Sequence, residues 1–207
     1  MPVRKHKVTG PLKEYEGEVH IVVEGPLSKR DLTSLQKYRD QQLLTLRHIQ
    51  SDSLEFISDW ADLRDLRLYG CRIGKWSPLT GLQSLEHLFL NGMRDRQPDL
   101  SFLSQLTRLE KLGVGAFPHW TVFPDMSRCT RLKRLHIFGC KRLADLSAVP
   151  RIPNLESFGI VQTPQEPNDL LPIMAMPKMK AMSGAFGSRK KDDLFQELLK
   201  KHGLVYG

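Results

Sequence analysis

The sequence predicts an α/β solenoid of short stacked repeats, and three observations lead to this fold class. The pattern apolar-x-x-apolar-x-apolar recurs along the chain. Within each copy the apolar spacing changes from three residues, typical of one helix face, to two, typical of a strand. Successive copies lie 22, 24, 23 and 23 residues apart, a period typical of repeat proteins. Their middle apolar residues are Leu66, Leu88, Leu112, Leu135 and Phe158.

Weaker copies extend the pattern toward both ends of the chain. Ile21-x-Val23 and Leu44-x-Leu46 precede the strong copies, and a degraded copy includes Met182. One turn alone is too small to bury its leucines, whereas stacked turns share a continuous core. We therefore expect the repeats to fill most of the chain.

Three segments carry a family resemblance: SPLTGLQSLEHLFL, SFLSQLTRLEKLGV and SAVPRIPNLESFGI. They resemble the short, internalin-like type of bacterial leucine-rich repeat, and the resemblance covers residues 43–187. It implies a curved coil with one short strand per turn. The strands would form one parallel β-sheet on the concave face, with short helical, 3-10 or irregular segments on the convex side.

One position departs from the family pattern. The family usually has Asn or Cys three residues after the second strand leucine, where the side chain satisfies backbone groups of the turn. Met and Phe cannot make those hydrogen bonds, and an unsatisfied buried polar group costs about 1–3 kcal/mol. We therefore expect irregular or water-bridged turns where they occur. This position holds Cys71, Met93, Phe117, Cys140 and Thr163.

Helices are predicted at both ends of the array, and they divide a single domain into three segments. Residues 1–40 would form an N-terminal strand and a capping helix that begins near Ser28, and residues 41–187 the repeat array. Residues 188–207 would form a C-terminal capping helix that begins at Asp192 or Asp193 and has apolar residues on one face. We interpret this helix as a lid on the last turn; partner docking or membrane-surface binding is the alternative.

Binding residues are predicted on the concave face, because strand side chains alternate between faces and the leucines point to the core. Arg and aromatic residues, which are enriched at protein-binding hot spots, occupy the other strand positions. Glycines beside them, Gly113, Gly115 and Gly159, would leave bare gaps. The predicted partner-binding residues of the strands are Arg47, Arg67, Tyr69, His87, Phe89, Arg134, His136 and Phe138.

The loop GAFPHWTVFPD is a second candidate contact surface. It contains four aromatic or histidine side chains together with two prolines. Phe117 occupies an inward position of the repeat, whereas we expect Trp120 to be exposed and available to a partner.

No motif predicts an enzyme, a cofactor or a metal site. GCRIGKWS has three residues between its glycines where a phosphate-binding loop needs four, and GVGAFP lacks the third glycine of a dinucleotide fingerprint. His87 and His136 lie two turns apart, about 10 Å by strand spacing, too far to share a zinc ion. Three cysteines, no secretion signal and no long apolar run indicate a cytoplasmic protein.

The net charge of +8 points to an acidic partner. The predicted function is that of a non-enzymatic module which binds another protein on its concave face, as an inhibitor, toxin-immunity protein or adaptor. Nucleic-acid binding through the basic surface is the alternative. It is less favoured because basic and acidic residues are interspersed and no RNA-binding motif occurs.

Overall fold

Short parallel strands, each formed by one copy of the leucine pattern, are the main elements of the structure. The computed structural model describes residues 14–15, 18–19, 21–25, 27–93 and 99–207. The chain divides into a first unit, Met1–Asp95, and a second unit, Arg96–Gly207. Part of the predicted N-terminal cap, residues 1–13, 16, 17, 20 and 26, lies outside the described residues.

The first unit contains eight strands and one α-helix among its described residues. The elements in chain order are β1 (Glu14–Tyr15), β2 (Glu18–Val19), β3 (Ile21–Glu24), α1 (Lys29–Leu35), β4 (Leu43–Arg47), β5 (Gln50–Ser53), β6 (Asp65–Tyr69), β7 (Arg72–Lys75) and β8 (His87–Asn91). Short 3-10 helices span Gln36–Tyr38, Glu55–Ile57 and Ser77–Gly81.

The main sheet of the first unit is parallel, with β3, β4, β6 and β8 side by side. Leu44 is opposite Leu66, and Leu66 is opposite Leu88, so the register follows the alignment of the leucines. Strands β5 and β7 form a second, two-stranded parallel sheet, while β1 and β2 pair antiparallel. The predicted parallel pairing of successive repeats is therefore confirmed within this unit.

The second unit repeats the same plan. Its elements are β9 (Lys111–Gly115), β10 (Arg134–Phe138), β11 (Ser157–Val161), α2 (Leu171–Met174), β12 (Ala181–Ala185), α3 (Arg189–Lys201) and β13 (Val205–Tyr206). The 3-10 helices span Ser101–Gln105, Val149–Arg151 and Pro167–Leu170. Strands β9 to β13 pair in parallel in chain order.

The register of the second unit also follows the sequence pattern. Leu112, Leu135, Phe158 and Met182 lie opposite one another on successive strands, so the degraded copy at Met182 forms a true repeat strand. These side chains are almost completely buried. Burying a leucine-sized side chain contributes about 1.5–3 kcal/mol, and the stacked ladder therefore stabilises each unit mainly through its core.

The turns that follow the strands share one backbone conformation. The first residue after the strand is left-handed, with φ between 54° and 67° at Gly70, Gly92, Ala116 and Gly139. The Ala116 amide then donates to the Phe138 carbonyl oxygen (2.8 Å), as the Gly70 amide does to that of Asn91 (2.8 Å). The turn beside Phe117 is thus as regular as the others at this residue, and the expectation of an irregular turn there is wrong. The turn that follows Met93 continues into residues 94–98, which lie outside the described residues, so the expectation there stays a prediction.

The structure explains this regularity through the backbone itself, because the next strand supplies the acceptor. Met93 and Phe117 are buried as apolar core residues. Cys71 and Cys140 make the polar contacts expected of the family pattern, since their Sγ atoms lie 3.5 Å from the carbonyl oxygens of Tyr69 and Phe138.

The two predicted helices are present, with one correction to a boundary. Ser28 caps α1 and forms a reciprocal pair with Asp31, whose backbone N–H donates to Ser28 Oγ (3.2 Å). Helix α3 begins one turn earlier than predicted, because Ser188 is its cap and accepts from the Lys191 N–H (3.4 Å). Its predicted apolar face is confirmed, since Phe195 and Leu199 are buried.

Candidate functional site

Each strand has one face toward the leucine core and one face away from it. We call the latter the open face, which comprises the first, third and fifth residues of each repeat strand. In β6 and β8 these residues are partly exposed, while the leucines between them are buried. In β4 Leu43 and Thr45 are buried as well, so Arg47 is the exposed open-face residue of that strand.

Three side chains form a continuous cluster on the open face of the first unit. The Arg47 guanidinium carbon lies 5.3 Å from the centroid of the Tyr69 ring, a cation–π contact. The Tyr69 and Phe89 rings are 5.4 Å apart at their centroids and inclined by 44°. Arg47 lies opposite Tyr69 in the strand register, whereas Phe89 lies diagonally from Tyr69 on β8, where its register partner is Arg67. We call Arg47, Tyr69 and Phe89 the Arg47 cluster.

Asp65 organises the residues beside this cluster. Arg67 Nε and Nη2 donate to Asp65 Oδ1 (2.9 Å) and Oδ2 (2.8 Å), which is a bidentate ion pair. His87 Nδ1 lies 3.4 Å from Asp65 Oδ2. The predicted binding residue Arg67 is therefore held by Asp65, which is not among the predicted binding residues, and His87 lies beside the same carboxylate. The sequence contains a signal for this ion pair, because the i, i+2 spacing of Asp65 and Arg67 places both side chains on one strand face.

In the second unit two rings lie across the glycines of neighbouring strands. A Cβ atom at Gly115 would overlap the Phe138 ring, and one at Gly159 would lie 2.7 Å from His136 Cδ2. The bare gaps predicted at Gly115 and Gly159 are thus filled, because the absence of a Cβ lets the rings lie down on the sheet. The two rings are 5.5 Å apart at their centroids. His136 is exposed, but partial desolvation of its ring against the sheet lowers its pKa.

Trp120 lies in the core, and the expectation that it is exposed is wrong. Its side chain is only 5% exposed. The Trp120 ring centroid lies 6.1 Å from that of Phe117 and 5.7 Å from that of Phe123, so the aromatic residues of this loop pack against one another. Such burial leaves almost no Trp120 surface for a partner.

A groove of about 490 Å³ lies among the turns of the second unit, beside the start of α3. Lys191 Nζ binds Glu166 Oε1 across it (2.7 Å), and Gln165 Nε2 donates to the carbonyl oxygen of Leu143 (2.7 Å). The two charged groups are thus engaged with each other, while Gln165 Oε1 is buried without a hydrogen-bond partner among the described residues. The groove is therefore a weaker candidate for binding than the open face.

The described part of the chain contains neither a candidate metal site nor a candidate membrane-spanning helix. No group of three or more His, Cys, Asp and Glu side chains there could hold a metal ion. Among the same residues, no helix is both long enough and apolar enough to cross a membrane.

Comparison with known proteins identifies the fold. No protein-family model and no curated protein matches the sequence. Among solved structures, the chain is similar to an internalin (inlF) from Listeria monocytogenes, with 18% identity and a TM-score of 0.51, over 77% of this chain and 58% of the other. It is also similar to an internalin C2 (inlC2) from that organism, with 18% identity and a TM-score of 0.55, over 76% of this chain and 65% of the other.

The likeness at this level of identity establishes the fold alone. The chain has the leucine-rich-repeat fold that its sequence predicts. It spans less than two thirds of the length of either internalin chain. Leucine-rich-repeat folds are generally protein-binding modules and typically non-catalytic.

Proposed function

We propose that the protein is a non-enzymatic module which binds another protein through the open face of its repeats, with the Arg47 cluster as the main contact of the first unit. The two contacts that join Arg47, Tyr69 and Phe89 are the observation that carries this proposal. Tyr and Arg are the residue types in which binding hot spots are enriched. The general use of the fold for protein binding supports the same conclusion.

The physical basis of the proposal is that the cluster is formed before a partner arrives. Tyr69 contacts Arg47 on one side and Phe89 on the other, so little side-chain entropy remains to be lost on binding. The strands beneath are fixed by buried leucines such as Leu68 and Leu90. The partly exposed Arg47 cluster on a rigid sheet can therefore bind a partner without reorganising the core.

The proposal is tested by co-purification from the lysate of the source cells. The tagged wild type is compared with the double variant Arg47→Ala/Tyr69→Ala in untreated lysate and, in parallel, in nuclease-treated lysate. A matched control, Arg108→Ala/Val122→Ala, removes an exposed Arg and an exposed apolar side chain elsewhere on the surface. We expect a protein that is retained by the wild type and the control and lost by the double variant.

Two results would count against the proposal. If the retained protein is held equally by all three forms, the Arg47 cluster is not the contact surface. If recovery depends on nucleic acid and disappears after nuclease treatment, the alternative of a nucleic-acid-associated repeat protein replaces it. Arg67 is left unchanged in this design because its substitution would leave the partly buried Asp65 without its ion-pair partner.

Within this class, we propose a cytoplasmic adaptor or inhibitor, such as a toxin-immunity protein, that acts by covering a surface of its target. All three cysteines are free and buried, which is compatible with a reducing compartment. Fractionation of the source cells tests the proposed cytoplasmic location, and recovery of the protein outside the cytoplasm would rule that location out. The retained protein identifies the target, and its activity with and without the wild type distinguishes an inhibitor from an adaptor.

A further inference from the structure

The open face of the second unit carries two cations directly opposite each other. Lys111 begins β9 and Arg134 begins β10, and the two residues are paired in the strand register. Adjacent strands lie about 4.8 Å apart, so both side chains rise from neighbouring points of the sheet. Like charges in this arrangement repel, and they destabilise a sheet unless an anion compensates for them.

No acidic residue occupies an open-face position of β9 to β12. In the first unit, by contrast, Asp65 balances the open-face charge of Arg67. The open-face residues of β9 to β12 are Lys111, Gly113, Gly115, Arg134, His136, Phe138, Ser157, Gly159, Val161, Ala181, Ser183 and Ala185.

The acidic residues that immediately precede these strands are already engaged. Glu110 Oε1 lies 3.2 Å from Arg131 Nη2, and Glu156 Oε2 lies 2.6 Å from Lys180 Nζ. The Lys180 ammonium also holds the pKa of Glu156 below its usual value, so this carboxylate stays ionised and bound to its own partner. The charge of Lys111 and Arg134 is thus not balanced by a salt bridge to any carboxylate of the described residues.

We propose that Lys111 and Arg134 together bind a carboxylate from an extended acidic segment of a partner protein. An Arg guanidinium and a Lys ammonium one strand spacing apart can donate to the two oxygens of one carboxylate, and the anion removes their mutual repulsion. Ser157 and Ala181, at the same position of the next two strands, are small and uncharged. They leave room for the backbone of the segment beside the pair.

The same geometry favours a carboxylate over a nucleic acid. Binding of a nucleic-acid strand needs a series of phosphate contacts, and aromatic side chains on which the bases can stack. On the open face of β9 to β12, the positive charge is confined to the pair Lys111 and Arg134. The rings of His136 and Phe138 lie on Gly159 and Gly115, but base stacking on two rings alone does not replace the missing series of phosphate contacts.

A decaglutamate peptide is the probe for this site, and its affinity is measured by isothermal titration calorimetry at low ionic strength. The variant is Lys111→Ala/Arg134→Ala, and circular dichroism verifies that it is folded. The matched control, Arg108→Ala/Lys190→Ala, removes the same two residue types from exposed positions. Both variants therefore have the same net charge. Any difference in their affinity for decaglutamate depends on where the removed charges lie. An oligothymidylate of the same length is titrated in parallel.

We expect the site variant to bind decaglutamate at least about tenfold more weakly than the wild type, because two charge-assisted contacts are lost. The control should remain within about twofold of the wild type. Equal weakening in both variants would show non-specific attraction and overturn the proposal, as would the absence of binding to the wild type. Tighter binding of the oligothymidylate, lost in the site variant alone, would assign the pair to nucleic acid instead.

This inference concerns the second unit and does not depend on the Arg47 cluster. The probe experiment gives its result even if the partner of the first unit is never found. Conversely, loss of the co-purified protein in Arg47→Ala/Tyr69→Ala tests the first unit alone. The failure of one proposal is therefore distinguishable from the failure of the other.

Discussion

At the scale of single residues, Tyr69 and Leu68 are neighbours in β6 that face opposite sides of the sheet. Leu68 is completely buried, whereas Tyr69 is partly exposed. We expect Leu68→Ala to lower the free energy of unfolding by about 2–5 kcal/mol, because it leaves a cavity in the core. Tyr69→Ala should lower it by less than about 1.5 kcal/mol, the worth of its ring contact.

Urea denaturation of both variants tests this pair. A Tyr69→Ala loss as large as that of Leu68→Ala would mean that Tyr69 is a core residue, and the Arg47 cluster would then have a structural rather than a binding role.

Gly115 is required because the Phe138 ring lies on it. A Cβ at this position would overlap the ring, so Gly115→Ala should displace Phe138 and cost about 1–3 kcal/mol. In a Phe138→Ala background the clash partner is absent, and we expect the penalty of Gly115→Ala to fall sharply. A double-mutant cycle measured by urea denaturation reports the coupling. Equal penalties in both backgrounds would contradict the contact.

The titration of His136 gives the protein a pH dependence of stability. His136 is exposed, but partial desolvation of its ring on the sheet lowers its pKa in the folded state, so the unfolded chain binds more protons when the pH is near or below the usual histidine value of about 6.5. Stability should therefore fall as the pH decreases from about 7.5 to 5.5, and His136→Gln should reduce this fall. Glu156 also has a lowered pKa, but as a carboxylate it acts at more acidic pH.

Thermal unfolding of the wild type and His136→Gln across this pH range provides the measurement. Identical pH profiles for the two proteins would show that His136 is not the responsible group.

The sequence predicted the positions of the open-face residues but not their contacts. Alternation along a strand is sufficient to place Arg47, Tyr69 and Phe89 on one face. It does not determine side-chain rotamers, and so it missed the Phe138 ring on Gly115 and the burial of Trp120. These outcomes depend on which neighbour offers space, a tertiary property that one strand pattern does not contain.

At the scale of elements, a left-handed residue directly after the strand is a feature shared by the repeats of β4, β6, β8, β9, β10 and β11. Glycine adopts this conformation freely, whereas other L-residues lose about 1–2 kcal/mol. Gly139 has φ of 65°, and the nearest atom to an added Cβ would be 3.4 Å away, so the steric conflict would be slight. Gly139→Ala should therefore lower the free energy of unfolding by about 1–2 kcal/mol, mainly through backbone strain.

Ala116 allows the reverse substitution at an equivalent turn. Its φ is 54°, so Ala116→Gly should leave stability unchanged or raise it, since relief of strain offsets the entropy of the added glycine. Chemical denaturation of Gly139→Ala and Ala116→Gly compares the two. A marked destabilisation by Ala116→Gly would contradict the account of the turns.

Strand register was predictable because the apolar period is so regular. Leu112, Leu135 and Phe158 align in the sequence and lie opposite one another in the sheet. Boundaries were less predictable where two capping residues compete. Asp192 was a plausible start of α3, but its Oδ1 accepts from the Phe186 N–H (2.8 Å), while Ser188 caps the helix.

At the scale of the whole molecule, composition predicted the class of the protein and little about its partner. The repeat period led to the fold, which the internalin structures confirm. The net charge of +8 is a sum over the surface and does not reveal where charge is left unbalanced. The ion pairs of the described residues locate the unbalanced charge, because they join Arg67 to Asp65 but include no carboxylate bound to Lys111 or Arg134.

Site-specific photo-crosslinking tests the central claim that the open face contacts a partner protein. The crosslinking amino acid p-benzoylphenylalanine replaces Phe89 on the open face or, as a control, Val122, which is 54% exposed outside the repeat strands. Each protein is irradiated in lysate of the source cells. We predict a discrete protein adduct from position 89 and none from position 122. An adduct from position 122 alone, or no protein adduct from position 89, would contradict the account.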